Sequence, residues 1–471
     1  MPQNLSSGTE DITVLTAPRS LAPWWRETRA TLSLAAPLVM AQIAQIAIGT
    51  TDVLMMGWLG PASLAAGALG HNLLFPLFLF GLGIVSAVIP MTAQELGARN
   101  YRGVRRTLRQ GLWVALLVGG LSSLVLWQGR GILLAFGQAE NSVVLAEGYL
   151  RAALWSLVPA LWFVVLRCFV VAHSRPRAAL VVSCLGVAVN ALGNYALMFG
   201  NFGFPRLELV GAGISTSVVN GFMFLAMLGY ILWDRRFRRY AVLVRLWRPD
   251  WPRFREIWRL GLPIGLFILA ETGLFSAAAF LMGLIGQNQL AAHAIALQCA
   301  AVAFMIPLGV SQAVTVRIGL AVGRGDAAGV GHGGWVALAL GGGFMMISAL
   351  VFWFLPTSLV GFFLDLNAAE SAPVVELAVS FLAIAALFQL FDGAQVIGAG
   401  ALRGIKDTRV PMVFSVLGFW GIGFPASAYL GLRTSLGGQG VWIGLALGLA
   451  IVAVALVVRF HRRDRLDWTT S

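Results

Sequence analysis

Three carboxylates stand where this polypeptide can least tolerate them. Asp52 lies within IGTTDVLMMG, Glu271 within LFILAETGLF and Asp392 within LFQLFDGAQV. An ionised side chain at the centre of a bilayer costs roughly 3 kcal/mol on insertion scales, so intramembrane acids mark ion or substrate pathways or are paired across helices. A second polar set lies further along the chain. Asn190 and Asn194 are spaced i, i+4 and share one helix face, and Thr216 and Ser217 follow near the start of the next apolar run. Interhelical hydrogen bonding is one account of such residues. The other is chemical: one carboxylate, two amide oxygens and a hydroxyl form the hard-oxygen set that suits a small cation. Asp52, Asn190, Asn194 and Thr216 are therefore a candidate Na⁺ or H⁺ site. Gln389, Asp392 and Gln395 fall on one face of a single helix, and Gln298 marks another. These could line a cavity or tie helices together.

The elements that position these groups follow from composition. Of the 471 residues, 58% are hydrophobic and only 11% charged, with a mean hydropathy of +0.82. Such a chain dissolves in lipid, not water. About 20 apolar residues cross the hydrocarbon as a helix. Twelve such segments are predicted, at 30–55, 66–90, 111–135, 150–171, 179–200, 211–233, 260–284, 291–316, 334–356, 376–400, 411–431 and 440–460. The unbroken apolar runs exclude a β-barrel.

The net charge of +13 does not indicate nucleic acid, because the basic residues form no soluble, base-reading domain. They are sorted by side instead. Of the 33 lysines and arginines, only Arg130, Arg151, Arg206 and Arg433 fall outside if the N-terminus is inside. By the positive-inside rule both termini are expected in the cytoplasm. Residues 1–25 lack a signal-peptide pattern and are expected to be a disordered tail. Cys168, Cys184 and Cys299 lie in predicted spans and suit packing, not a disulfide framework. The five histidines show no metal-ligand spacing, and no GxxxxGK[ST] loop is present to use ATP. No nucleophile, metal set or cofactor motif stands inside the apolar runs, so an enzyme is not expected.

The chain also repeats itself. Pro37 meets Pro263, and at the same 226-residue offset Met56, Gly57 and Gly60 meet Met282, Gly283 and Gly286, while Leu82 and Gly83 meet Leu308 and Gly309. The register holds without a gap over 37–104 against 263–330. Six helices per repeat make the halves parallel, related by an axis along the membrane normal. The expected organisation is an N-terminal tail 1–29, an N-lobe 30–233, a linker 234–259, a C-lobe 260–460 and a tail 461–471, with a cavity between the lobes. Asp52 aligns with Ala278 and Glu271 with Gln45. Neither acid is required by the scaffold of its half.

The long segments PLVMAQIAQIAIGTTDVLMMGWLGPASLAAGAL, VNALGNYALMFGNFGFP, GAGISTSVVN, GLPIGLFILAETGLF and GAGALRGIKDTRVP occur in an order that resembles the multidrug and toxic compound extrusion (MATE) transporters of the NorM-like bacterial branch. The resemblance covers nearly all of 30–460. It implies a monomeric twelve-helix antiporter of the bacterial inner membrane that exports amphipathic, mostly cationic organic compounds against inward Na⁺ or H⁺, with no cofactor. It further implies an N-lobe cation site at Asp52, Asn190, Asn194 and Thr216, C-lobe acids at Glu271 and Asp392, and a first-helix proline, Pro37, that bends with transport state. Some relatives place a tyrosine one turn before the tenth-helix acid, where this chain has Phe388. Together with Glu271, Asp392, Gln298, Gln389 and Gln395, Phe388 is expected to line the substrate cavity. The alternative is a flippase of lipid-linked oligosaccharide from the same broad superfamily, although such proteins tend to carry basic cavities, whereas the acids here are intramembrane.

Overall fold

A computed structural model describes residues 22–465 apart from 243, 245, 246, 367 and 369. Twelve of its helices are long and apolar enough to cross a membrane. In the first half these are α1 (Ala22–Trp58), α2 (Pro61–Ser86) running into α3 (Val88–Gly97), α4 (Tyr101–Trp127), α6 (Glu140–Ala153) running into α7 (Leu157–Ala172), α8 (Pro176–Phe199) and α9 (Glu208–Trp233), with a short α5 (Gly129–Ala135) before α6. A linker with α10 (Arg235–Arg238) leads to the second half: α11 (Trp251–Ile285), α12 (Gln287–Arg324), α13 (Ala327–Phe354), short α14 (Pro356–Val360), α15 (Ala372–Gly404), α16 (Arg409–Val416) joined by a π-helical turn to α17 (Phe424–Leu432), and α18 (Gly438–His461). The expected tails 1–29 and 461–471 fall mostly outside the described residues, and residues 22–29 belong to α1. Likewise α11 begins at Trp251, inside the expected linker. Helices outrun the apolar segments because backbone hydrogen bonding continues into the polar interface, where hydropathy no longer reports it.

The duplication extends to helix ends. Asn100 caps α4 by accepting from the Gly103 amide at 3.1 Å, and its counterpart Asp326 caps α13 by accepting from Gly329 at 2.8 Å. Just before them, Arg99 (φ 59°) and Gly325 (φ 72°) both take left-handed backbone. A helix stop, a tight turn and a capped restart are thus encoded twice. The halves differ elsewhere: the second crossing is interrupted at Ala87 between α2 and α3, whereas α12 runs on through the equivalent Ala313.

Within the first half α1 packs on α8, α8 on α9, and α7 on α4 and α9; in the second, α12 packs on α15, and α15 on α13 and α18. The halves meet through α2 with α11, α3 with α12 and α1 with α12. Among the described glycines, those that approach the other half closely all lie toward the arginine-rich face. Gly83 sits on Gly265, Gly309 on Val39, Gly319 on Ala93, and Gly323 on α3. Toward the opposite face, close glycine approaches such as Gly211 on Leu197 or Gly440 on Leu430 stay within one half.

The linker is anchored on the first half. His173, at the end of α7, is held between the Phe169 carbonyl (Nδ1, 2.7 Å) and the Tyr240 hydroxyl (Nε2, 2.8 Å). A carbonyl only accepts, so Nδ1 carries the proton and Nε2 accepts from Tyr240. Burial pushes the imidazole pKa down to about 4. Further on, Asp250 caps α11 and pairs with Arg106 of α4. The Arg106 guanidinium holds the Asp250 carboxyl below its usual range.

Candidate cation and substrate sites

In the first half, α1 carries Asp52 six residues before its end, against the face of α8 that bears Asn190 and Asn194. Both amides are fully buried. Both donate to the same carboxylate oxygen, Asp52 Oδ1, at 2.9 Å from Asn190 Nδ2 and 2.6 Å from Asn194 Nδ2. Their own carbonyl oxygens are buried without a hydrogen-bond partner. Two unsatisfied amide oxygens beside one carboxylate make an unusual arrangement, because buried acceptors are ordinarily paired. The i, i+4 spacing aims both side chains at one point, as the sequence indicated. Close α8–α9 packing, with Gly193 against the Ser215 side chain, brings Thr216 alongside. Its hydroxyl donates to the Ala212 carbonyl of its own helix at 3.0 Å, not to Asp52.

A further residue belongs to this cluster. The Tyr149 side chain of α6 lies within electrostatic reach of Asp52 and beside Thr216, and the residue is 3% exposed. Sequence reasoning passed over it because the fourth span was expected to begin at residue 150. The preceding turns of α6 (ENSVVLAEGYLR) carry too many polar groups to register as membrane-crossing.

In the second half, Glu271 of α11 accepts a hydrogen bond from Gln395 Nε2 of α15 at 2.9 Å. Asp392, one turn earlier on α15, lies within electrostatic reach of Glu271, as does Arg403 two turns beyond Gln395. Asp392 and Gln395 are buried, and each retains an unpartnered oxygen. Gln389 is tied to α13, accepting from Ser348 Oγ at 3.0 Å. Gln298 is exposed on α12 and takes no part in the Glu271–Gln395 pair. Phe388 differs from expectation. It is 1% exposed, edge-on to Phe275 and Trp442, inside the core of its half and not on open space. Phe388 thus packs against both α11 and α18, while Gln389 reaches Ser348 of α13 and Gln395 reaches Glu271 of α11. Pro37 lies inside an unbroken α1, as its counterpart Pro263 does in α11.

Among the described residues no three His, Cys, Asp or Glu side chains converge as a metal cluster. Either half offers oxygen ligands of the kind a small hard cation or a proton takes.

The MatE family model matches residues 37–196 and 263–429, the two halves that the repeat defines. A probable multidrug resistance protein NorM of Mesorhizobium japonicum is 49% identical over 96% of this chain and 96% of its own length. A protein of the same description from Brucella suis is 44% identical over 93% of this chain and 94% of its length. Among solved structures, the eukaryotic MATE transporter AtDTX14 superposes with a TM-score of 0.83 at 20% identity, over 95% of this chain and 97% of that one, a likeness of fold. On these matches the chain belongs to the MatE family.

Proposed function

We propose that the protein is a multidrug efflux transporter that exports amphipathic, mostly cationic organic compounds in exchange for Na⁺ or H⁺, by alternating access of its two lobes. The observation that carries this reading is the pair of acid sites, one in each half, that the duplicated scaffold does not require. The relatives described as multidrug resistance proteins support the substrate class. The arginine-rich face is cytoplasmic on this reading, with both termini on that side, in a bacterial inner membrane, and the working unit is one chain.

Asp52 is the ion switch. With no cation bound, the two amide N–H groups satisfy its carboxylate. When Na⁺ binds, each amide turns over and presents its oxygen, so the carboxylate and two carbonyls share the ion. When H⁺ binds, the carboxyl becomes a donor and one amide oxygen accepts. Either event neutralises the charge; Na⁺ relieves both orphaned acceptors, and H⁺ relieves one of them. Glu271 and Asp392 attract the cationic substrate. Exchange needs only that ion and drug favour different conformers, and about 2.7 kcal/mol of differential binding biases the equilibrium a hundredfold.

The test is efflux of a fluorescent organic cation from proteoliposomes under separately imposed Na⁺ and H⁺ gradients. Export driven by one of them is expected. If neither drives efflux and lipid-linked sugar is translocated instead, the flippase reading replaces this one.

A further inference from the structure

An internal twofold carries each residue onto the one 226 positions later, and residues that touch their own counterparts lie on its axis. Gly97 meets Gly323 in this way: a Cβ on Gly97 would stand 2.9 Å from the Gly323 Cα. Ala93 meets Gly319, where an added Cβ would lie 2.7 Å from the Ala93 Cβ. Both pairs keep the 226-residue offset. The axis therefore passes through the crossing of α3 with the end of α12.

Around it the contacts come in exchanged pairs. A Cβ on Gly83 would lie 2.5 Å from the Gly265 Cα, and one on Gly309 would lie 3.0 Å from the Val39 nitrogen. The offset maps Gly83 onto Gly309 and Val39 onto Gly265. Continued back along the first helix of each half, the same register pairs Glu27 with Arg253. Arg253 is ion-paired with Glu95 of α3, and Glu27 with Arg317 of α12, Nε to Oε1 at 2.8 Å. The offset thus places an acid in one half where the other has a base, while their partners are not equivalent: it carries Glu95 to Ala321 and Met91 to Arg317, one turn away. All four side chains are largely shielded, so salt screens them less than surface pairs. Gln94 of α3 adds a bond to a neighbouring helix of the other half, its Nε2 donating to the Gly404 carbonyl at the end of α15 at 2.9 Å.

We propose that these contacts form a self-complementary seal that holds the cytoplasmic face shut, and that its opening is the step that exposes the cavity to the cytoplasm. The glycines give the seal its shape, since any side chain there would pry α3 from α12. The Glu95–Arg253 and Glu27–Arg317 pairs latch it. This deepens the alternating-access reading and rests on it for the direction of transport.

The experiment places spin labels at Arg102→Cys and Ala328→Cys, exposed positions that are also equivalent, in full-length protein whose three native cysteines are replaced, in lipid nanodiscs. Pulsed electron resonance reads the distance across the face. The parent chain is expected to give one short population. Glu27→Gln with Glu95→Gln should shift most molecules to a longer distance, and exchanging the charges, Glu95→Arg with Arg253→Glu, should restore the short one. A distribution unchanged by the double neutralisation overturns the proposal, as does one that opens equally in the charge-exchanged variant. The measurement needs neither gradient nor drug. A protein that transports nothing yet opens and recloses in these variants would sink the antiport reading and leave the seal standing.

Discussion

The two halves solve the problem of holding an acid in a membrane in different ways. Asp52 has two buried amides converging on one oxygen, both from α8. Glu271 has a single amide, a second carboxylate nearby on α15 and an arginine within electrostatic reach. Their depths differ as well. Glu271 corresponds to Gln45, seven residues before Asp52, which at 1.5 Å of rise per residue puts it about 10 Å nearer the arginine-rich face. In each half the other's position carries no acid: Ala278 is buried in the core, and the Gln45 amide lies 3.9 Å from the Met223 sulfur. A single carboxylate with converging amides suits a small ion. Two carboxylates together attract one larger cation but repel each other without it.

The largest expected effect breaks this division directly. Asp52→Asn should reduce gradient-driven efflux on the order of a hundredfold, as loss of the whole coupling energy implies, while binding of a fluorescent cation at equilibrium stays within about threefold. Retained ion-driven efflux in that variant would end the assignment of Asp52 as the switch. Next, Glu271→Gln and Asp392→Asn should each weaken drug binding by about tenfold, the effect of losing about 1.4 kcal/mol. If Asp52→Asn weakens equilibrium binding as much as either of these, the halves share one task and the contrast disappears.

A smaller asymmetry belongs to the linker anchor on the first half. The fold keeps His173 neutral, with its pKa lowered from 6.5 to about 4. Between those values an unfolded chain binds a proton that the folded one refuses, so this contribution to stability is present above pH 6.5 and is lost as pH falls toward 4. The melting temperature in detergent should fall across that window, and His173→Gln should flatten the slope there while leaving the acid limb that Asp250 contributes at lower pH. An unchanged slope would mean that the imidazole titrates normally and the anchor is loose.

Much of this was legible in the sequence. Hydropathy located every crossing because lipid rewards only apolar residues over a fixed thickness, and an offset of glycines and prolines located the duplication. The acids stood out because they lie well inside apolar runs, where a charge is most costly. Tyr149 did not, since half a phenol ring is apolar and its helix began outside the hydrophobic window. Nor did the burial of Phe388: helix phase placed it beside Gln389 and Asp392, but only packing on Trp442 determines which way an aromatic ring turns. The π-helical turn at Leu417–Gly423, from which Trp420 donates to the Ala270 carbonyl next to Glu271 at 3.0 Å, left no trace in composition.

The crossing of α3 with α12 has a thermodynamic consequence. Its closest contacts involve Ala93, Gly97, Gly319 and Gly323, residues with no rotamers to freeze. Each closure therefore orders little besides the latch side chains, and each opening releases little side-chain disorder to drive it. A transporter must pass this point twice per cycle, and a joint of bare backbone lets it do so with almost no entropic toll in either direction.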